Sequence, residues 1–243
     1  EDMIEAAQKR GLNEICFTDH VDYDRDGDSS RLPDLAARKT CFDGIRDRYP
    51  DVAVKLGAEI SLKDELCTAR SLEYVRASDP DFIIASLHLV NGAGAWENGY
   101  YDTGSREEIY RAYIDGIADM LPSCRGFNVL GHYDFCAKYA PYENRGMTLA
   151  DGADTFDRIF RLLAQNGRGM EINTAAWKQD PAWGLDILKR FVELGGEYVT
   201  FGSDAHRAEN VGARAGEAYE LACAAGVPYY ATFNALVPTL HRL

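Results

Sequence analysis

Residues 82–88 read FIIASLH. A short, β-branched apolar run of this kind is a buried parallel strand, and here it ends on a histidine. The same pattern recurs at residues 14–18 (EICFT), 52–60 (VAVKLGAEI), 127–130 (FNVL), 169–172 (GMEI) and 198–201 (YVTF). A seventh run, residues 227–233, carries a weaker strand signal.

Helical patterns fill the intervals. Asp34 precedes a helix over residues 35–48, and Ser105 with Glu108 forms a capping box ahead of residues 110–120. The pattern over 150–165 stops near Gly167, and that over 181–194 opens on Pro181 and stops at Gly195 and Gly196. Strands alternating with helices predict an α/β fold with a parallel sheet, and six or seven such units favour a barrel over a doubly wound sheet. Residues 91–104 (NGAGAWENGYYDTG) are rich in glycine and aromatics and predict a long loop over the site.

With 243 residues the chain fits a single barrel domain over 1–243. A net charge of −13 argues against sequence-independent nucleic-acid binding, which rests on basic surface, but leaves an anionic small molecule open because bound cations reverse the local sign. No apolar run approaches the roughly 20 residues of a membrane span. Six scattered cysteines, none in a CxxC pair, suit a reducing cytoplasm with every thiol free. Oligomeric state has no signature here.

Five histidines are present, and four occupy equivalent places. His20 closes ICFTDH, His88 closes FIIASLH, His132 closes FNVLGH and His206 closes YVTFGSDAH; Glu59 closes VKLGAE in the same way, and Asp204 lies two residues before His206. The C-terminal strand ends of a (β/α) barrel converge on one face, so these side chains are expected in one pocket. Imidazole with carboxylate suits Zn²⁺, Mn²⁺ or Fe²⁺, whereas Mg²⁺ and Ca²⁺ favour oxygen shells. Two or three such metals hold a hydroxide at neutral pH and neutralise phosphoryl oxygens. Neither a GxSxG elbow nor a P-loop supplies another nucleophile. His241 is expected on the surface.

At these residues the chain resembles a known family. TDH at 18–20, GAE at 57–59, SLH at 86–88, GHYD at 131–134 and GSDAH at 202–206 occur in the order and rough spacing of the PHP (polymerase and histidinol phosphatase) family. ASLHLVNG, NVLGHYDFCAKYAP, MEINT and GSDAHRAENVG are similar to strings of its histidinol-phosphate phosphatase branch. The resemblance implies a distorted (β/α)7 TIM-like barrel with a trinuclear metal site. By motif, Glu59 would bridge two metals, His88 and His132 would complete one, His20 and His206 would serve another, and Asp204 the third. Asp19 and Asp134 would orient neighbouring ligands. The family pattern begins with an HxH-bearing strand, and EDMIEAAQKRGLNEICFTDH resembles the segment just after it. The expectation is a chain trimmed at its N-terminus, with the first strand missing.

The implied reaction is hydrolysis of L-histidinol phosphate to L-histidinol and phosphate, as in histidine biosynthesis. A metal-bound hydroxide would be the nucleophile, with Asp204 and His206 as supporting groups. Arg207 and Lys178 are the first choices to grip the phosphate, ahead of Lys138 and Arg145. Trp96, Trp177, Tyr100 and Tyr101 are the aromatics placed to pack on an imidazole ring. Two alternatives stand beside this reading. One is a PHP phosphoesterase acting on nucleotides or oligonucleotides, separable by kinetics. The other is a non-catalytic metal-binding module, separable by whether the HxH precedes residue 1.

Overall fold

The structure, a computed structural model, describes residues 1–23 and 32–243. After α1 (Asp2–Lys9) come β1 (Glu14–Val21), α2 (Leu35–Arg46), β2 (Ala53–Ser61), α3 (Glu65–Arg76) and β3 (Phe82–Ser86). A small hairpin follows, β4 (Leu89–Val90) and β5 (Ala93–Gly94), and then α4 (Arg106–Met120), β6 (Val129–Leu130), α5 (Ala153–Gln165) and β7 (Gly169–Asn173). The chain ends with α6 (Leu185–Glu193), β8 (Tyr198–Gly202), α7 (Ala215–Ala225), β9 (Tyr229–Asn234) and β10 (Val237–Arg242).

One eight-stranded sheet runs in the order β1-β2-β3-β6-β7-β8-β9-β10. Every neighbouring pair is parallel except β9 with β10. The sheet curls: Phe233 of β9 lies 4.7 Å from Phe82 of β3, in a cluster that also touches Cys16 of β1. It does not close. Among the described residues β1 pairs only with β2, and β9 meets β8 only at Tyr198 and Val199. Residues of β1, β8 and β9 line a common cavity. The result is an incomplete barrel whose helices pack their apolar stripes on the outside. In α5, Phe156, Ile159, Phe160 and Leu163 are buried at helical spacing, and Phe160 meets Phe191 of α6 at 5.5 Å.

Local signals behave as their chemistry requires. Asp34 accepts the Ala37 N–H, and Ser105 and Glu108 cap α4 reciprocally. The expected opening of a helix at Pro181 is wrong: α6 begins at Leu185. Gly184 takes φ +96°, and a Cβ there would meet the Tyr133 hydroxyl at 2.1 Å. The 181–184 segment instead turns so that the Trp183 indole N–H donates to Asp134 at 2.7 Å. Residues 91–104 are also not one plain loop. Asn91 and Gly92, both at positive φ, turn β4 into β5 as an Asn-Gly pair does. His241 is a further correction. It is half-buried, stacked on Tyr230 at 4.7 Å and 2.9 Å from the Thr232 hydroxyl, because β10, unforeseen in the sequence, sets it opposite Tyr230.

Candidate metal centre

Strand register builds the site. His20 of β1 lies directly beside Glu59 of β2, both near the C-terminal ends of their strands. His88 and His132 follow the ends of β3 and β6. Glu59 is buried at 7% exposure, and its carboxylate faces three imidazoles. Oε1 lies 3.0 Å from Nε2 of His132 and 3.4 Å from Nε2 of His88, and Oε2 lies 3.6 Å from Nε2 of His20. Ligating atoms of His20, Glu59 and His88 all fall within 4.8 Å of one another. The Ser61 hydroxyl sits 2.8 Å from Nδ1 of His88, which turns the other ring nitrogen toward Glu59.

Asp204 and His206 form a second arm after β8. Both line the same cavity of about 740 Å³ as His20, Glu59 and His132. Their own contacts are elsewhere: Asp204 receives the Lys138 ammonium at 2.6 Å, and Nδ1 of the exposed His206 lies 3.6 Å from the Asp204 carboxylate. Asp19 is paired with Arg38, and Asp134 holds Trp183. Both are occupied by partners that fix loops and helices around the strand ends.

The donors fit divalent transition metals. A buried carboxylate among imidazoles is a nitrogen-and-oxygen set of the kind those ions take. Nδ1 of His132 is buried with no partner among the described residues, an orphan that protein hydrogen bonds leave unexplained. Electrostatics point the same way. Burial would raise the Glu59 carboxyl, yet hydrogen bonds to His132 and His88 hold it well below the usual range. Burial disfavours a charged His132, but the hydrogen bond and charge of Glu59, aided by Glu171 and Asp204, lift it to about 9. Burial drives His88 the other way, downward.

A pH dependence follows. The metal-free His132 keeps its proton through neutral pH, and a metal needs the neutral ring. Apparent metal affinity should therefore climb about tenfold per pH unit between pH 7 and 8, as long as the medium lies below that ring's pKa. Mn²⁺ or Zn²⁺ titrations of metal-free protein at the two pH values measure it. Equal affinities would contradict the His132–Glu59 ion pair.

One buried carboxylate in the site escaped the sequence reading. Glu171 of β7, 6% exposed, lines the cavity with Glu59, His132 and Asp204. Burial pushes it up to about 7, against the opposing charge of His132. The signal was there: a glutamate inside the apolar run GMEIN has no solvated face to occupy.

The four aromatics expected to pack on a ring divide, and none of them lines the cavity. Trp177 is buried under Arg214, Tyr100 is buried, and the Tyr101 hydroxyl donates to the Cys136 carbonyl. Trp96 remains half-exposed and packs 6.0 Å from Phe135, whose ring lies 5.1 Å from His88 and 4.7 Å from His132. Tyr139, on the same turn, carries Lys138 at 5.8 Å and Lys178 at 5.5 Å over its ring. Burial, followed by the charges of Arg145 and Lys138, lowers the Lys178 pKa. Arg145 is paired with Asp180. Arg207 points away from this cluster. It is 77% exposed and its partner is Glu209, 3.8 Å away.

Imidazoles and a shared carboxylate at the C-terminal ends of parallel strands define a metal-binding α/β barrel protein. Residues 1–175 match the PHP domain model, and the chain belongs to the PHP family. It is similar to the histidinol-phosphatase of Lactococcus lactis subsp. lactis, 28% identical over 240 residues, covering 96% of this chain and 87% of that protein. A probable histidinol-phosphatase of Clostridium acetobutylicum is 25% identical over 214 residues, covering 87% and 82%. Among solved structures, the histidinol phosphate phosphatase of Lactococcus lactis, complexed with zinc, L-histidinol and phosphate, superposes with a TM-score of 0.86. It is 27% identical, and the match covers 98% of this chain and 91% of that one.

Proposed function

We propose that this chain is a metal-dependent phosphatase that hydrolyses L-histidinol phosphate to L-histidinol and phosphate. The observation that carries the reading is the Glu59 carboxylate, buried against His132, His88 and His20 at 3.0, 3.4 and 3.6 Å. The names of the similar proteins and the ligands of the similar structure support it.

Two or three transition metals would be held by His20, Glu59, His88, His132, Asp204 and His206. When bound, they supply Lewis acidity toward the phosphoryl oxygens and an activated water. The chain's own groups do the rest. Lys178, over the Tyr139 ring beside Lys138, which itself reaches the cavity-lining Asp204, would offer a cation to the outer phosphate oxygens, with Arg207 on the neighbouring loop as a second donor. Trp96, Phe135 and Tyr139 offer flat faces to the ring of the leaving alcohol. Six cysteines outside any disulfide fit a reducing cytoplasm.

The test is phosphate release by protein loaded with Mn²⁺ or Zn²⁺. Histidinol phosphate should be turned over with a higher kcat/KM than adenosine monophosphate. The reverse order would assign the site to nucleotides, and no hydrolysis of either would leave a metal-binding module without phosphatase activity.

A further inference from the structure

The glutamate in the GMEIN run has no part in the metal reading, yet it touches the strand ends on both sides of its own. Oε2 of Glu171 accepts the main-chain N–H of His132 at 3.1 Å and the side-chain amide of Asn173 at 3.1 Å. Asn173 is itself fixed, since its side-chain oxygen accepts the Ala175 N–H at 3.0 Å. The other carboxylate oxygen lies where β8 makes room. A Cβ added to Gly202 would stand 1.9 Å from Oε1 and 2.7 Å from the carboxyl carbon of Glu171. Gly202 has no positive φ to explain its identity, so space is the reason for it. Register places Gly202 opposite Asn173, two residues beyond Glu171.

From this geometry we infer that Glu171 is a positioning residue: seated in the gap left by Gly202, it holds the His132 main chain so that the imidazole meets Glu59. The inference rests on the metal reading of Glu59 and His132. Because β6 pairs with its neighbours over only two residues, few ladder bonds hold the chain at His132. Beyond β6 the Gly131 N–H donates to the Ala85 carbonyl and the His132 carbonyl accepts the Phe135 N–H and the Tyr113 hydroxyl, while the His132 N–H is left to Glu171. A carboxyl oxygen aimed at its N–H satisfies that donor where water does not reach it. Shifting that N–H moves the ring with it, and a ligand displaced by a fraction of an ångström loses metal affinity without unfolding the chain.

The test is a double-mutant cycle read in two ways. Zn²⁺ affinity is measured on metal-free protein, and the His132 ring resonances are followed by NMR in the same metal-free samples. Glu171→Ala should weaken metal binding by about tenfold to a hundredfold and move the His132 signals. Glu171→Gln keeps an oxygen acceptor for the N–H, so it should restore both readouts toward those of the unaltered protein. Gly202→Ala should imitate Glu171→Ala, because its methyl evicts the carboxylate. Combined, the two should be no worse than Glu171→Ala alone, since the evicted group is already gone. Thermal unfolding separates loss of fold from loss of position; if Glu171→Ala does not fold, Gly202→Ala and Glu171→Gln still decide. Additive losses, or unshifted His132 signals in both Glu171→Ala and Gly202→Ala, would overturn the inference. An unaltered protein that binds no Zn²⁺ would instead sink the metal reading, and the His132 signals would still judge the positioning role.

Discussion

Glu59→Gln should cost at least about a thousandfold in kcat/KM and most of the bound metal, with the fold retained. The amide is the same size, so the packing around a 7%-exposed side chain survives. What disappears is the charge. His132, His88 and His20 all present Nε2 to that carboxylate. Without it, the three imidazoles would hold a cation with no carboxylate among them, because Asp204 sits on the other arm, paired with Lys138. Losing a ligand that stabilises developing phosphoryl charge is worth several kcal/mol, and each 1.4 kcal/mol is about tenfold. Metal analysis, circular dichroism and kinetics on histidinol phosphate check the three parts together. A folded Glu59→Gln protein with full metal and full rate would remove Glu59 from the centre of the site.

Lys178 carries the second large effect. It takes φ +48°, a left-handed conformation unusual for lysine, and its ammonium sits over Tyr139 within reach of the Lys138 and Arg145 charges. Cations held together in this way gain when an anion joins them. Lys178→Ala should lower kcat/KM by about tenfold to a hundredfold, the worth of a charge-assisted hydrogen bond of about 1.5–3 kcal/mol. Lys178→Glu should go further, to about a thousandfold, because like charges set against phosphate cost several kcal/mol. Metal content should hold constant in both. Arg207→Ala should have the smaller effect, since that guanidinium is exposed and already faces Glu209. Unchanged kinetics in every Lys178 and Arg207 variant would assign phosphate to other donors.

The sequence alone determined the seven parallel strands, though not β4, β5 or β10, and the order in which the strand ends carry histidines and carboxylates. A short apolar run is a local signal, and a histidine or glutamate at its end is legible without knowing what lies opposite. The capping box at Ser105 is local in the same sense, and so is the Asn91-Gly92 turn, which was there to be read. Only the tertiary structure decided which polar groups share a partner. That Lys138 reaches Asp204, that Asp134 is taken by Trp183 and that Glu171 fits the space beside Gly202 are contacts between separate loops and strands. The start of α6 belongs with them, since Gly184 is set by the Tyr133 hydroxyl rather than by Pro181. Periodicity reports which face of an element is buried. It says nothing of what the curling of the sheet brings against that face, because register and curvature are summed over every strand pair between the two residues.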